Sequence, residues 1–149
     1  KIGPSCYNAR SILRTFTGNR TVLMGESFAD LADYVKSVKP NGTSERLYIT
    51  GHSLGGGLAT ATAGIHNIPA VTFSAPGLEA TSGILHPRPQ EEPLLHQSVN
   101  IMPQWDIVPM VDAQTGSSFR IHCKAEQPFK CHRLRSTMCE LLTACGDGG

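Results

Sequence analysis

The sequence predicts an α/β fold with a mostly parallel sheet, and three observations support that prediction. Short runs rich in β-branched and aromatic residues alternate with segments in which apolar residues recur at helical spacing. Stretches rich in proline, glycine and asparagine separate these runs and favour turns. Ser53 has a glycine two residues away on either side, Gly51 and Gly55. It lies where one predicted strand passes directly into a predicted helix. Strands that alternate with helices pair in parallel, because each helix returns the chain to the same end of the sheet.

Length and charge limit the classes of protein to which the chain can belong. With 149 residues, of which 40% are hydrophobic, it is long enough for one core, so residues 1–149 are predicted to form a single domain or part of one. Its 13 basic and 12 acidic residues give a net charge of +1, which offers no electrostatic basis for binding nucleic acid. No apolar run approaches the roughly 20 residues that a membrane-spanning helix requires.

The first predicted element is an amphipathic helix over "ESFADLADYVKSV", since residues 1–24 show no clean period. Its apolar residues Phe28, Leu31 and Val35 recur at helical spacing, and Ser27 is its candidate N-cap. The turn residues of "KPNGTSE" end this helix, and "RLYIT" follows as a short buried strand.

The remaining elements continue the alternation of strands and helices. The stretch "LGGGLATATAGIHN" predicts a helix whose glycines and alanines allow close approach to a neighbouring sheet. The proline-rich stretch "LEATSGILHPRPQEEPLL" predicts a long surface loop. The other predictions are, in chain order, the strands "PAVTFSAPG" and "HQSVNIM", a loop or short turn at "DIVPMVD", a strand at "SFRIHCK" and a final helix over "LRSTMCELLTAC" that ends at Gly146.

Ser53 is the candidate nucleophile, because the stretch from Gly51 to Gly55 satisfies the G-x-S-x-G pattern. The pattern needs its glycines since the serine sits in a strained strand-to-helix turn, where a β-carbon would collide with neighbouring backbone. A glycine bend without chemistry is the alternative, and the position between strand and helix argues against it. A phosphate-binding loop is disfavoured, because no G-x-x-x-x-G-K-[ST] sequence is present.

Asp106 is the leading candidate for the acid that would orient a catalytic histidine. In this architecture the chain order is serine, then aspartate or glutamate, then histidine. Asp106 directly follows the predicted strand "HQSVNIM", where a carboxylate can be fixed and partly buried. Asp112 is the second candidate, and a turn-capping role for Asp106 is the alternative without chemistry.

His132 is the preferred base, because only His122 and His132 follow Asp106 in the chain. His122 lies within a predicted strand. His132 lies in a predicted loop between Cys131 and the last helix, from which it can reach over the end of the sheet. A surface histidine without a role is the alternative.

Three segments resemble the class 3 lipase family, the fungal-type lipases among the α/β-hydrolases. They are the nucleophile segment "LYITGHSLGGGLA", the strand "AVTFSAPG" and the acid loop "VNIMPQWDIVP". The resemblance runs from Phe28 to His132 and implies an α/β-hydrolase fold that needs no cofactor and no metal. It implies Ser53 as nucleophile, Asp106 as orienting acid, His132 as base and the backbone N–H of Leu54 as one oxyanion donor.

The sequence departs from the family pattern in two places. The family carries an earlier strand that supplies the second oxyanion donor, and no such segment precedes "ESFADLADYVKSV". We therefore expect a partial or truncated domain whose oxyanion strand lies upstream of Lys1, or a domain that lacks it. The second departure is the stretch Ser74–Gly77, where the family often has Gly-Ala-Pro-Arg.

The cysteines favour disulfides over a metal site. The five cysteines are Cys6, Cys123, Cys131, Cys139 and Cys145. No two of them form the C-x-x-C pair that is typical of a metal site. Cys139 and Cys145 lie six residues apart in one predicted helix, so they point about 120° apart and lie ~9 Å apart along its axis, too far to bridge. A bond between Cys123 and Cys131 is preferred and would close the loop that precedes His132. Cys6 is left to pair with another cysteine or with a segment outside the chain.

Two acceptor sequons accompany the cysteines and favour a secreted or lumenal glycoprotein. Asn19 and Asn41 each begin an N-x-T triplet, which glycosylation in the secretory pathway requires. Disulfides persist in the same oxidising compartments. Together these features predict a location in the secretory pathway or outside the cell.

The sequence therefore predicts a serine hydrolase that cleaves carboxylic esters, most readily those of acylglycerols or phospholipids. Its expected partners are a lipid or other apolar ester substrate and a membrane or lipid interface, with no nucleic acid. The alternative hypothesis is a weakly active or inactive lipase-fold subunit with a structural or binding role in a larger secreted or membrane-associated assembly. A missing N-terminal segment or a partner chain would then complete it.

Overall fold

A computed structural model describes residues 21–39 and 46–145. The predicted positions Cys6, Asn19 and Asn41 lie outside the described residues, as does the side chain of Cys145. The helices are α1 (Thr21–Val38), α2 (Leu54–His66), α3 (Glu91–Gln97), α4 (Pro128–Cys131) and α5 (Leu134–Cys145). The strands are β1 (Ile49–His52), β2 (Ala70–Phe73), β3 (Ser98–Pro103) and β4 (Ser117–Ile121), and short 3-10 helices span Ser82–Ile84 and Val108–Met110.

The sheet formed by the described strands is entirely parallel, in the order β1-β2-β3-β4. Ile49 pairs with Ala70, which in turn pairs with Ser98. This finding confirms the prediction of an α/β fold with a parallel sheet. Since parallel strands end at one edge, the residues that follow β1 and β3 lie on the same side of the molecule.

Helix α2 packs closely on its neighbours because it is built from small residues. A β-carbon added at Gly56 would lie 2.7 Å from the β-carbon of Ala75, and one added at Gly64 would lie 2.8 Å from Leu94. Neither distance is compatible with an ordinary packing contact. The glycines thus bring α2 against the turn after β2 and against α3, whereas the small-residue pattern predicts a close approach to the sheet.

Two apolar clusters form the core on either side of α2. One contains Phe28, Ala61, Leu78 and Leu94, which joins α1, α2 and α3. The other consists of Val35, Ala63, Ile68 and Ala70 and joins α1 to the start of β2. Helix α1 buries its own apolar face against α2, the helix that follows Ser53, and thereby stabilises α2.

Helix α3 was not expected, because its prolines and charges predict a loop. The stretch 78–95 contains both this helix and the 3-10 turn Ser82–Ile84. Pro93 is the third residue of α3, where the missing N–H costs no intrahelical hydrogen bond. The buried Leu94 packs against α2 and supplies the contact that stabilises so short a helix.

Several predicted boundaries are also wrong. Ser27 lies inside α1 rather than at its cap, because the helix begins at Thr21. Strand β1 begins at Ile49 rather than Arg46, since pairing with β2 begins there. His96 belongs to α3 and not to β3, and the last residue before His132 ends the short helix α4 rather than a loop. The range predicted for the last helix agrees with α5.

Candidate active site

Ser53 lies in a sharp turn between β1 and α2. Its backbone has φ 56° and ψ −130°, a conformation that residues other than glycine rarely adopt. A β-carbon at Gly51 would lie 2.3 Å from the carbonyl oxygen of Gly55, so the turn closes only with glycine there. The expected collision is wrong for Gly55, where a β-carbon would meet nothing within 4 Å. The N–H of Ser53 donates to the carbonyl of Phe73 at 3.0 Å. These contacts hold a strained turn of the kind that G-x-S-x-G requires.

Leu54 follows Ser53 and is the first residue of α2. The N–H groups of Gly56 and Gly57 donate to the carbonyl of Ser53 at 2.9 and 3.1 Å. The N–H groups of Leu54 and Gly55 come earlier in α2 and therefore have no carbonyl acceptor within that helix. They also lie at the positive end of the helix dipole. An oxygen that gained negative charge beside Ser53 would meet donors here.

The structure brings Ser53, His132 and Asp106 into one hydrogen-bonded chain. The Nε2 atom of His132 lies 2.8 Å from the Oγ atom of Ser53. The Nδ1 atom of His132 lies 3.0 and 3.1 Å from the two carboxylate oxygens of Asp106. Because a carboxylate only accepts, we assign the proton of the neutral ring to Nδ1, which leaves Nε2 free to accept from the serine hydroxyl.

Asp106 is held at the end of β3 by its own backbone and by neighbouring N–H groups. Its side chain is fully buried, whereas that of His132 is 22% exposed. The N–H of Asp106 donates to Pro103 at 3.2 Å, and the N–H of Val108 donates to the carboxylate at 3.0 Å. A buried carboxylate requires such partners. The bonds therefore fix both the position and the direction of the group that contacts His132.

The two alternative residues have other partners. Asp112 accepts from the N–H groups of Ala80 and Thr81 at 3.1 and 3.0 Å, and from the Thr81 hydroxyl at 2.7 Å. It therefore fastens the segment after β2. His122 has a largely exposed side chain whose Nδ1 atom lies 3.6 Å from a carboxylate oxygen of Glu140. Neither forms a hydrogen bond with Ser53.

A disulfide between Cys123 and Cys131 joins the end of β4 to α4. It is the bond that the sequence analysis prefers, and both residues are buried. Cys131 directly precedes His132, so the bond restrains the segment from which the imidazole projects. Cys139 is exposed and forms no disulfide with another described residue.

Glu140 of α5 also binds the segment that the disulfide restrains. Its carboxylate accepts from the backbone N–H of Lys124 at 2.7 Å, and this bond, with a smaller contribution from His122, holds the pKa of Glu140 below its usual 4.5. The carboxylate is therefore charged at neutral pH. It connects α5 to the residue next to the disulfide.

Asn100 is a site-supporting residue that the sequence analysis mentions only as part of the acid-loop resemblance. Its buried amide donates to the carbonyl of Ala75 at 2.8 Å and to Gln114 at 2.9 Å, and its oxygen accepts from the N–H of Ala75 at 3.2 Å. It thereby fixes the turn after β2 that packs on α2. A lone amide in an apolar strand is the signal that identifies such a residue.

His52 is a second residue whose contacts the sequence does not reveal. In the sequence, His52 is only the variable residue between Gly51 and Ser53 of the G-x-S-x-G stretch. In the structure its Nε2 atom lies 2.8 Å from the carbonyl oxygen of His132. The signal is missing because the two residues are 80 positions apart in the chain.

The described part of the chain, residues 21–39 and 46–145, has neither a metal-binding cluster nor a helix fit to span a membrane. No three His, Cys, Asp or Glu side chains in this part of the chain are grouped so that they can hold a metal ion. Within the same residues, no helix is both long and apolar enough to cross a membrane.

Two comparisons with known proteins find sequences similar to this chain. Residues 26–119 match a family model described as a Tle-like phospholipase domain, and that match covers well over half of the chain. It includes Ser53 and Asp106 and ends before His132. The protein named "Putative lipase ATG15" of Eremothecium gossypii is 45% identical over 58 residues. That segment makes up 38% of this chain and only 11% of the ATG15 protein.

Proposed function

The chain belongs to the Tle-like phospholipase domain family, and on this premise we propose that it is a serine hydrolase that cleaves carboxylic esters of lipids. Membership of the family agrees with the lipase resemblance of the sequence. The observation that carries the proposal is the hydrogen-bonded chain from Ser53 through His132 to Asp106. Since the matched segment is about a tenth of the ATG15 protein, the activity proposed concerns this chain alone.

In the proposed mechanism, the Oγ atom of Ser53 attacks the carbonyl carbon of the ester while its proton passes to Nε2 of His132. The bond to the leaving oxygen then breaks, and the same proton goes to the departing alcohol. An acyl ester of Ser53 remains. Water attacks this ester, again with proton transfer through His132, and releases the carboxylic acid together with free Ser53.

The neighbouring groups would each support one part of this reaction. Asp106 would hold the imidazole in the required tautomer and stabilise its positive charge. The N–H of Leu54 would donate to the oxyanion, because it is adjacent to Ser53 and unused within α2. We propose no cofactor and no metal for this reaction, since Ser53 supplies the nucleophile and His132 carries out the proton transfers.

A lipid ester is the substrate class that the surroundings of the site favour. Apolar side chains that adjoin Ser53 and Asp106 in the chain are exposed, namely Leu54, Trp105, Ile107 and Met110. Exposed apolar residues gathered beside a reactive group can take up an acyl chain or contact a lipid surface. The resemblance to a lipase and a phospholipase family points the same way.

We further propose that the protein works in an oxidising compartment of the secretory pathway or outside the cell. The buried Cys123–Cys131 disulfide adjoins the proposed base, and such bonds persist where thiols are not kept reduced. The two sequons at Asn19 and Asn41 are compatible with the same location.

Labelling with a fluorophosphonate tests the proposed nucleophile. The oxidised full chain is expected to bind one equivalent of probe, and Ser53→Ala is expected to abolish labelling. The matched control is Ser118→Ala, since Ser118 is an exposed serine on β4, and its labelling should equal that of the wild type. A folded, oxidised wild-type chain that takes up no probe would contradict the proposal and favour the alternative, an inactive lipase-fold subunit.

A further inference from the structure

The contact between His52 and His132 connects the turn that carries Ser53 to the segment that carries the proposed base. His52 is the last residue of β1 and is half-buried. Its Nε2 atom lies 2.8 Å from the backbone carbonyl oxygen of His132. A carbonyl oxygen only accepts, so Nε2 of His52 must be the protonated nitrogen and the donor. The bond thus assigns a definite tautomer to His52.

The carbonyl that accepts this bond lies at a helix end, where an outside donor is needed. His132 is the C-cap of α4, and its own N–H donates to Pro128 at 3.0 Å. The last carbonyl groups of a helix have no N–H partner within that helix. The Nε2–H group of His52 supplies the missing donor. A partly buried carbonyl left without a donor would otherwise lower the stability of the folded protein.

The two imidazole rings also pack against each other. Their centroids lie 4.9 Å apart with an angle of 35° between the ring planes. The ring of His132 is therefore restrained by Asp106 at Nδ1, by the face of His52, and through its backbone by the Nε2 atom of His52. The Cys123–Cys131 bond restrains the residue that precedes His132.

We propose that His52 is a positioning residue, which holds His132 at proton-transfer distance from Ser53 by donating to the His132 carbonyl. The proposal rests on the proposed function, since the distance matters only if His132 takes a proton from Ser53. Because His52 and Ser53 are neighbours in one rigid turn, the bond fixes base and nucleophile in a single frame. It acts on the rate of the chemical step and leaves substrate binding to other residues.

Three substitutions separate this hydrogen bond from mere packing. In His52→Gln the amide nitrogen is as many bonds from the β-carbon as Nε2 of histidine, so the donor is retained. In His52→Asn it reaches only as far as Nδ1, and in His52→Leu the donor is absent. The control for a lost imidazole is His96→Leu, because His96 is exposed on α3.

Kinetics on a soluble short-chain ester give the first readout. For His52→Leu and His52→Asn we expect kcat to fall roughly 10- to 100-fold with KM unchanged, since small misplacements of a catalytic group have effects of this size. His52→Gln should stay within about threefold of the wild type in kcat, as should His96→Leu. The melting temperatures should stay within about 3 °C of the wild-type value, which separates positioning from unfolding.

Proton NMR of the His132 ring gives a second readout that does not need turnover. The Nδ1–H signal, which the bond to Asp106 shifts downfield, should broaden or vanish in the Leu and Asn variants and persist in the Gln variant. Full kcat in His52→Leu, or equal losses in the Gln and Leu variants, would overturn the inference. A wild type that neither labels nor turns over would instead contradict the proposed function, while the NMR comparison would still decide the contact.

Discussion

Asp106 combines complete burial with three hydrogen-bonded contacts, two to His132 and one from the N–H of Val108. Such a group sets which nitrogen of the imidazole carries the proton. Replacing the carboxylate by an amide keeps the shape but permits an N–H to face Nδ1, which favours the tautomer in which Nε2 cannot accept. A single atom at this position therefore decides whether Ser53 has a base.

We predict that Asp106→Asn lowers kcat about 10³- to 10⁴-fold, as expected when the orienting acid of such a triad becomes an amide. The measurement is hydrolysis of a soluble short-chain ester, with circular dichroism to verify the fold. Asp112→Asn is the control, because the described partners of Asp112 are backbone N–H groups and the Thr81 hydroxyl, and not His132. Its kcat should stay within about threefold of the wild type, and an equal loss in both variants would contradict the assignment.

Gly51 and Gly55 form a second matched pair at the scale of single residues. We predict that Gly51→Ala destabilises the protein by about 3 kcal/mol or more and abolishes labelling, because its β-carbon would overlap backbone atoms of Gly55 and Gly56 that cannot move aside. A β-carbon at Gly55 meets nothing within 4 Å, so Gly55→Ala should change stability by less than about 1 kcal/mol. Urea denaturation and probe labelling give both results, and equal stability of the two variants would refute the steric argument.

At the scale of elements, the segment from the end of β4 to the start of α5 is short and is fastened at both ends. The Cys123–Cys131 bond joins its two ends, and the Glu140 carboxylate accepts a hydrogen bond from the N–H of Lys124. Helix α4 has only four residues and could not form by propensity alone. These bonds, together with the contacts of His132 to Asp106 and His52, therefore place His132 more than the short helix does.

We predict that joint replacement of Cys123 and Cys131 by alanine lowers the free energy of unfolding by about 2.5 kcal/mol, from the entropy of so short a closed loop. The rate of ester hydrolysis should fall as well, because His132 is the next residue. Cys139→Ala is the control and should change neither quantity, since Cys139 is exposed. Retention of full activity by the folded double variant would show that the other contacts suffice to place His132.

At the scale of the whole molecule, the sequence predicts most of the sheet, and it names the candidate residues Ser53, Asp106 and His132 that the structure brings together. Ser53 and Asp106 could be predicted because each depends on a local pattern, a glycine-flanked turn and a carboxylate after a strand. The role of His52 could not, since its partner is 80 residues away. Helix α3 was missed because the packing of Leu94 on Gly64 outweighs a composition that favours a loop.

Among the described residues, Leu54, Trp105, Ile107 and Met110 are exposed apolar residues that follow β1 and β3 at the carboxyl edge of the sheet, and we call them the rim. If the rim contacts lipid, polar residues there should weaken action on aggregated substrate while the triad still hydrolyses a dissolved ester. We predict that Met110→Ser lowers hydrolysis of an emulsified long-chain ester about 5- to 10-fold, equivalent to roughly 1 kcal/mol of lost apolar contact, and leaves short-chain hydrolysis unchanged. Tyr34→Ser, which removes a 64% exposed aromatic residue from α1, is the matched control and should affect neither substrate. Equal losses in both variants would show that general surface hydrophobicity, and not this rim, governs contact with lipid.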